Sequence, residues 1–399
     1  MHHVHPTSSM QSMGRGQGRY RVLIAGGGVA ALEAMVALRA LAEERVEIEL
    51  LAPDRDFFYR PLAVAEPFGT GEALRFDLSA LAASCGARHR LGSLVAVLPS
   101  EHRVTVAYDD SLTYDALLLA LGARRRIALP GALTYRGSED TAAFSQILEE
   151  AMSGAVGSIA FAVPSGVTWP LPLYELTIQA ATQLEEGGLR TRIFFLTPEE
   201  SPLAVFGREA SAVVAELLSD RGVELREQVH VERFEKGLLH LVPGAPLTAE
   251  RVVALPRLHG IAVAGVPRDG SGFVHVDAFG RVDGLEDVYA AGDGTTFPIK
   301  QGGLAAQQAD AAAEAIAAAA GAPLEPQPFD PILRGLLLTG GEPEFLRAEL
   351  GGGHMYASAA SDSPLWWPPA KIAAHYLGPF LAEHAGLALG AFGQRAGAT

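Results

Sequence analysis

Gly26-x-Gly28-x-x-Ala31 is the first spacing in the chain with the makings of a ligand site. It follows RYRVLIAGGG, an apolar run that reads as a strand over 21–25. It precedes VAALEAMVALRAL, where Leu32, Met35, Val36, Leu38 and Leu41 recur at helical spacing. In that context the pattern predicts a dinucleotide site. Gly26 permits a tight turn, Gly28 lets a pyrophosphate approach the backbone, and small Ala31 lets helix and strand pack closely. The first helical turn then offers N–H groups and the positive end of the helix dipole to the phosphates. VEIELLA, read as a strand over 46–52, completes a βαβ unit. An acid for the adenosine ribose belongs about twenty residues past the motif, near Leu51 or Ala52. Neither is acidic, and Asp54 is the nearest carboxylate.

Other chemistries fail on residue counts. Cys85 is the sole cysteine, so an intrachain disulfide, a Cys-based metal cluster and a dithiol redox pair are all excluded. It is expected to be a small buried residue. No nucleophile elbow and no HExxH occur, which removes the hydrolase and metalloprotease readings. His2, His3 and His5 lie in a polar, Gly/Ser-rich opening stretch that reads as a disordered tail over 1–18 rather than a metal site or signal peptide.

Two further motifs carry a resemblance. EDVYAAGDG (286–294) is similar to the second flavin-binding signature of two-dinucleotide-domain flavoproteins, the superfamily of FAD-dependent pyridine nucleotide-disulfide oxidoreductases. YDALLLALGA (114–123) resembles that family's chain-crossing motif, with Leu121 where threonine is common, ahead of Gly122. With the N-terminal glycine motif they stand in family order over roughly residues 20–320. The resemblance implies non-covalent FAD, with Asp293 on its ribityl or pyrophosphate part and Gly292 making room. DRDFFYRPL (54–62) and PIKQGGLAAQQADAAAEAIA (298–317) narrow it to the sulfide:quinone oxidoreductase and type II NADH dehydrogenase branch. The flavin-side residues so implied are Arg60, Pro61, Gln301, Gly302 and Leu304. An Ala-rich helix starting near Gly303 aims its N-terminus at the crevice, where reduced flavin carries negative charge near N1. Lys300, just upstream, adds a full positive charge. Gln307 and Gln308 match loosely the glutamines near quinone in type II enzymes, or face solvent.

The departures from that branch are equally specific. Sulfide oxidation of the usual kind needs paired cysteines, and only Cys85 exists. Where a nicotinamide-binding glycine motif belongs, the chain reads Pro164-Ser165-Gly166-Val167-Thr168-Trp169-Pro170, with one glycine and bulk that crowds a pyrophosphate. After the next strand Thr197 precedes Glu199 and Glu200, which suit a ribose and repel a 2′-phosphate, so NADH is one candidate donor and NADPH is disfavoured. Glu175, opening the helix that follows Pro170, is a candidate acid facing the flavin. PLWWPPAKIAAHYLGPFLAE (364–383) reads as a helix with Ile372, Tyr376 and Phe380 four apart. That stripe serves equally as core, homodimer contact or membrane-surface contact, with Trp366 and Trp367 suited to an interface and Lys371 the one cation for anionic lipid.

These sites need elements to hold them. The expected fold is α/β, with two Rossmann-like three-layer domains and a short C-terminal module. The flavin domain is discontinuous, 19–150 and 266–325; an NAD(P)-binding-like domain spans 151–265, and the module spans 326–399 after a proline-rich linker. Strands are read near 94–98, 102–108, 116–121, 223–226 and 251–254, and a helix over 208–221. Hydrophobic residues form 49% of the 399 and charged residues 19%, enough apolar surface for large cores. Mean hydropathy is +0.18, yet no apolar run of about 18 residues exists, so no span is expected. The net charge of −15 disfavours nucleic acid. The expectation is a cytoplasmic enzyme, peripheral on the inner membrane face if the C-terminus touches lipid. It passes two electrons from a small-molecule donor through FAD to a quinone or other small acceptor without a cysteine relay. The alternative is a flavin-binding protein with lost or regulatory activity.

Overall fold

The computed structural model describes residues 18–108, 110–351 and 354–386; the expected tail and its histidines lie outside them, Gly18 excepted. Tyr20–Ala25 is a strand buried along its last four residues, and Val46–Ala52 lies parallel to it. Arg88–Leu91 extends that side of the sheet, while Ala116–Leu119 and Val288–Ala290 extend the other, all parallel. Ala116–Leu119 is apolar and buried throughout, as an interior parallel strand covered on both faces must be. Helix α1, Val29–Ala42, connects the first two strands, and α2, Leu78–Ser84, is capped by Asp77, whose carboxylate accepts from Ala80 N at 2.7 Å.

After Ala116–Leu119 the chain crosses through Ala123–Arg126, antiparallel to the returning Arg257–Gly260. Between the crossings it builds a second parallel sheet in the order Leu133–Thr134, Arg251–Ala254, Ser158–Ala162, Arg192–Leu196, Glu224–Arg226. Helices α3 (Thr141–Met152), α4 (Leu171–Glu186) and α5 (Arg208–Asp220) pack on it. Leu133–Thr134 and α3 thus join the second sheet's core ahead of the boundary expected at 150. Helix α6, Gly302–Ala319, returns to lie beside α1. Both bury alanine-rich faces in one cluster, including Ala34 and Ala37 on α1 and Ala309 and Ala312 on α6. Such small side chains let helix axes approach closely.

The C-terminal module differs from expectation. Ile332–Leu337, Glu344–Gly351 and His354–Ser361 form an antiparallel sheet inside that module, where the sequence reading placed no strands. The helix read over 364–383 is confined to α7, Leu377–His384. Pro364, Pro368 and Pro369 lack the N–H a helix needs and disfavour helical backbone before them. Residues 364–376 instead form an irregular strap over the core. Among the described residues no helix is long and apolar enough to cross a membrane.

Candidate functional site

A cleft of about 1220 Å³ runs between the two parallel sheets and the strap, larger than the roughly 300–1,000 Å³ of a single small-ligand site. The α1 N-terminus opens into it. Gly26 sits at φ +136°, and a Cβ there would lie 2.0 Å from Ala120 O, so only glycine fits. Gly28 faces open space, with nothing within 4 Å of an added Cβ. As N-cap it has no side chain to accept from the first-turn N–H groups, and Val29 and Ala30 line the cleft. Bare amides at a helix N-terminus fit a diphosphate. Ala31 is fully buried and behind the lining; it packs the helix on the sheet.

The other expected cofactor residues are gathered from distant parts of the chain. Asp54, Arg60, Pro61, Leu121, Gly122, Gly292, Asp293, Lys300, Gln301 and Gly302 all line this cleft. Gly292 N donates to Gln308 Oε1 at 2.7 Å, and Thr295 Oγ1 donates to Gly292 O at 3.0 Å, which sets the turn presenting Asp293. No group among the described residues donates a hydrogen bond to the Asp293 carboxylate. Burial raises its pKa, opposed by Lys300, Arg125 and Arg60. An acceptor of this kind suits ligand hydroxyls. Lys300 Nζ donates to the carbonyls of Thr295 and Phe297 and sits 4.0 Å above the Phe273 ring. Burial lowers its pKa to about 8 against the pull of Asp293. It is therefore an anchored charge at the cleft wall with one donor left over.

Three expectations are corrected here. Leu304 is outside the lining: it is buried in the second core, and its N–H donates to Gln301 Oε1 at 2.8 Å. Gln301 is thus the N-cap of α6, leaving the first-turn N–H groups of Gly302 and Gly303 without intrahelical partners, with Gly302 at the cleft. Gln307, half-buried, and Gln308, buried, lie outside the cleft lining. Gln307 pins the C-terminal sheet through Ile332 N and O, both at 2.9 Å, and Gln308 holds Gly292. Lys371 is no lipid-facing cation: its ammonium is 5% exposed and ion-paired with Glu175, 1% exposed.

Both members of that pair line the cleft. Glu175 Oε1 also accepts from Leu338 N at 2.8 Å. Burial raises the Glu175 carboxyl's pKa, with Lys371 opposing. Burial lowers the Lys371 pKa, with Glu175 opposing. Burial thus works against charge on each group, and each group's partner offsets it. The sequence signalled Lys371 only by rarity, as one of three lysines in the chain.

The second unit is a poor diphosphate site. The N-cap of α4 is Pro170 and Pro172 lies in its first turn, so two N–H groups are missing. Leu173 N donates to Pro170 O at 2.9 Å, and Trp169 leans on Phe206 with ring centroids 5.8 Å apart. Glu199 is turned inward, accepting from Tyr174 OH at 2.7 Å and Thr197 Oγ1 at 2.8 Å. Thr197, Glu199 and Glu200 do not line the cleft, against the expectation of a ribose grip. Cys85 is buried, its Sγ donating to Met35 O at 3.6 Å and its pKa raised by burial. It too lies outside the cleft.

The comparisons with known proteins agree with this architecture. Residues 20–319 match the pyridine nucleotide-disulphide oxidoreductase family, and the chain belongs to it. It is 27% identical over 289 residues to an NADH dehydrogenase-like protein of Mycobacterium tuberculosis, covering 68% of this chain and 72% of that one. The sulfide:quinone oxidoreductase of Aquifex aeolicus superposes with a TM-score of 0.76 at 18% identity, covering 86% of each chain. NDH2 of Plasmodium falciparum, solved in complex with NADH, gives 0.57 at 15%, covering 70% of this chain and 65% of that one. The protein is an FAD-dependent oxidoreductase of this family, and the α1 N-terminus, open Gly28 and unpaired Asp293 fit the flavin nucleotide.

Proposed function

We propose that this enzyme takes two electrons from a small donor and passes them to a quinone or similar small acceptor, with no thiol relay. The observation that carries the reading is one continuous cleft reaching from the α1 N-terminus to the Glu175–Lys371 pair, with Cys85 outside it. FAD, when bound, supplies two-electron acceptance and donation. The α1 amides and Gly28 hold its diphosphate, Asp54 and Asp293 take hydroxyls of its sugar and ribityl parts, and Arg60, Pro61, Leu121 and Gly122 wall it in. Lys300 and the α6 N-terminus place positive charge where a reduced ring is negative. Glu175 and Lys371 line the same cleft and offer a proton to an acceptor that must take up protons with its electrons.

NADH is the first donor to test, in line with the NADH dehydrogenase-like relative. The prolines of α4 mean that it binds without a helix-end diphosphate seat, and hence weakly. Peripheral contact with a membrane through Trp367, 76% exposed, is part of the same proposal. Anaerobic addition of NADH to the yellow holoenzyme should bleach absorbance near 450 nm, and a naphthoquinone should restore it. If neither NADH nor a screen of small donors bleaches the flavin, the second reading stands: a flavin-binding protein with lost or regulatory activity, which the blocked α4 N-terminus favours.

A further inference from the structure

Within the C-terminal sheet Ile332–Leu337 runs antiparallel to Glu344–Gly351 with Arg334 directly opposite Arg347. Like charges facing each other across a strand pair repel, so this arrangement calls for counter-charge. Arg347 has it, its Nη2 donating to Glu349 at 2.7 Å. Arg334 makes no ion pair among the described residues, and its Nε is buried without a hydrogen-bond partner. A buried guanidinium donor left unpaired is unfavourable. The residue is held in place: Gln301 Nε2 donates to Arg334 O at 3.2 Å, tying the strand to the start of α6. Arg334 lines the cleft together with Leu336, Lys371 and Ile372.

We propose that Arg334 is the recognition residue for an oxyanion, a carboxylate, sulfonate or phosphate, carried by the molecule that enters the cleft beside Lys371. The diphosphate of the cofactor has its own seat at α1, so Arg334 is left for a second molecule. A planar guanidinium with a free edge takes an oxyanion through paired N–H donors. Glu349 already pairs with Arg347, so the unpaired donor edge is that of Arg334. Leu336 and Ile372 supply apolar surface for the rest of the ligand. The proposal deepens the acceptor-site reading above, and rests on it only for the ring that carries the anion.

Two sources of oxyanion share this chemistry: a substituent on a soluble substrate and a lipid headgroup, since Trp366 packs on Phe345 of the same sheet with ring centroids 5.1 Å apart. The test compares 1,4-naphthoquinone-2-sulfonate with uncharged 2-methyl-1,4-naphthoquinone. Each is titrated into oxidised holoenzyme and followed by flavin fluorescence. No turnover is involved, so a protein that fails to transfer electrons still answers it. The sulfonate should bind about tenfold tighter or more, and Arg334→Gln should bring the ratio to about one while Arg334→Lys keeps part of it. Sedimentation with phosphatidylglycerol and phosphatidylcholine vesicles separates the sources. Binding to the anionic vesicles alone, lost in Arg334→Gln, with no sulfonate preference, assigns the site to a headgroup. Equal affinity for both quinones and both vesicle types overturns the proposal. So does a lowered melting temperature in Arg334→Gln, because removal of an unpaired charge opposite Arg347 should leave stability unchanged or raised.

Discussion

Replacing Lys371 by Met leaves the Glu175 carboxylate buried with no counter-charge, and the energetic consequence can be worked from the structure. Both side chains are at most 5% exposed, so water cannot substitute for the missing partner. Breaking a buried pair from one side costs about 3–5 kcal/mol. The protein limits that loss by protonating Glu175, whose pKa burial already raises. From an unfolded pKa of about 4.3, neutralising it costs about 1.4 kcal/mol per pH unit, or about 3.7 kcal/mol at pH 7. The sign is fixed by the raised folded-state pKa: the variant is least impaired below the unfolded value, and stability is lost as pH rises toward the folded one. Its deficit should therefore shrink by about 2.7 kcal/mol between pH 7 and pH 5. Glu175→Gln should behave oppositely. The stranded Lys371 has a lowered pKa, so that variant recovers as pH rises toward the unfolded lysine value near 10.4. The double variant removes both charges, while the Gln oxygen still accepts from Leu338 N, and should be more stable at pH 7 than either single. Urea unfolding of the holoenzymes at pH 5, 7 and 9, followed by tryptophan fluorescence, measures all of this. A Lys371→Met deficit that is flat across pH, or below about 1 kcal/mol at pH 7, would refute the reasoning.

Gly28→Val should fold with native circular dichroism yet purify colourless, because its side chain fills space kept for the diphosphate. Gly26→Ala should fail to fold, since its Cβ would strike Ala120 O; a soluble, yellow Gly26→Ala would contradict the geometry. Lys300→Met should lower the flavin reduction potential and remove a rise in apoprotein stability between about pH 8 and 10, where the depressed Lys300 gives way to the unfolded lysine. Cys85→Ala should leave the anaerobic flavin reduction rate within about twofold, and a collapse of that rate would return thiol chemistry to the mechanism.

Much of the first sheet was legible because its signals are local. The glycines at 26 and 28, the strand over 46–52 and the apolar run at 116–119 each announce themselves within a dozen residues. The convergence of Asp54, Gly122, Asp293 and Lys300 on one cleft came from motif order, not periodicity. What escaped was long-range or hidden in common residue types. Glu175 and Lys371 are 196 positions apart, and nothing local to either predicts the pair. Arg334 opposite Arg347 depends on a strand register that a mixed run such as ILRGLL does not disclose. The C-terminal stripe of Ile372, Tyr376 and Phe380 has helical spacing over a segment whose prolines forbid a helix, so periodicity misled where backbone chemistry decided. Glu199 reads as a ribose acid until its inward bonds to Tyr174 and Thr197 are seen.

The strap at 364–376 touches both halves of the molecule. Lys371 bonds to Glu175 on α4, and Ile372 N donates to Tyr59 OH beside the first sheet. The N–H groups of Tyr376 and Leu377 donate to buried Glu33 on α1, at 2.9 and 2.6 Å. Burial and the neighbouring Glu33 raise the pKa of Asp310 on α6. The two sheet bodies are thus riveted from the chain's far end, and the width of the crevice between them is set by a dozen residues that belong to neither. Lengthening the strap by a residue would shift these anchors and, with them, the gauge of the passage.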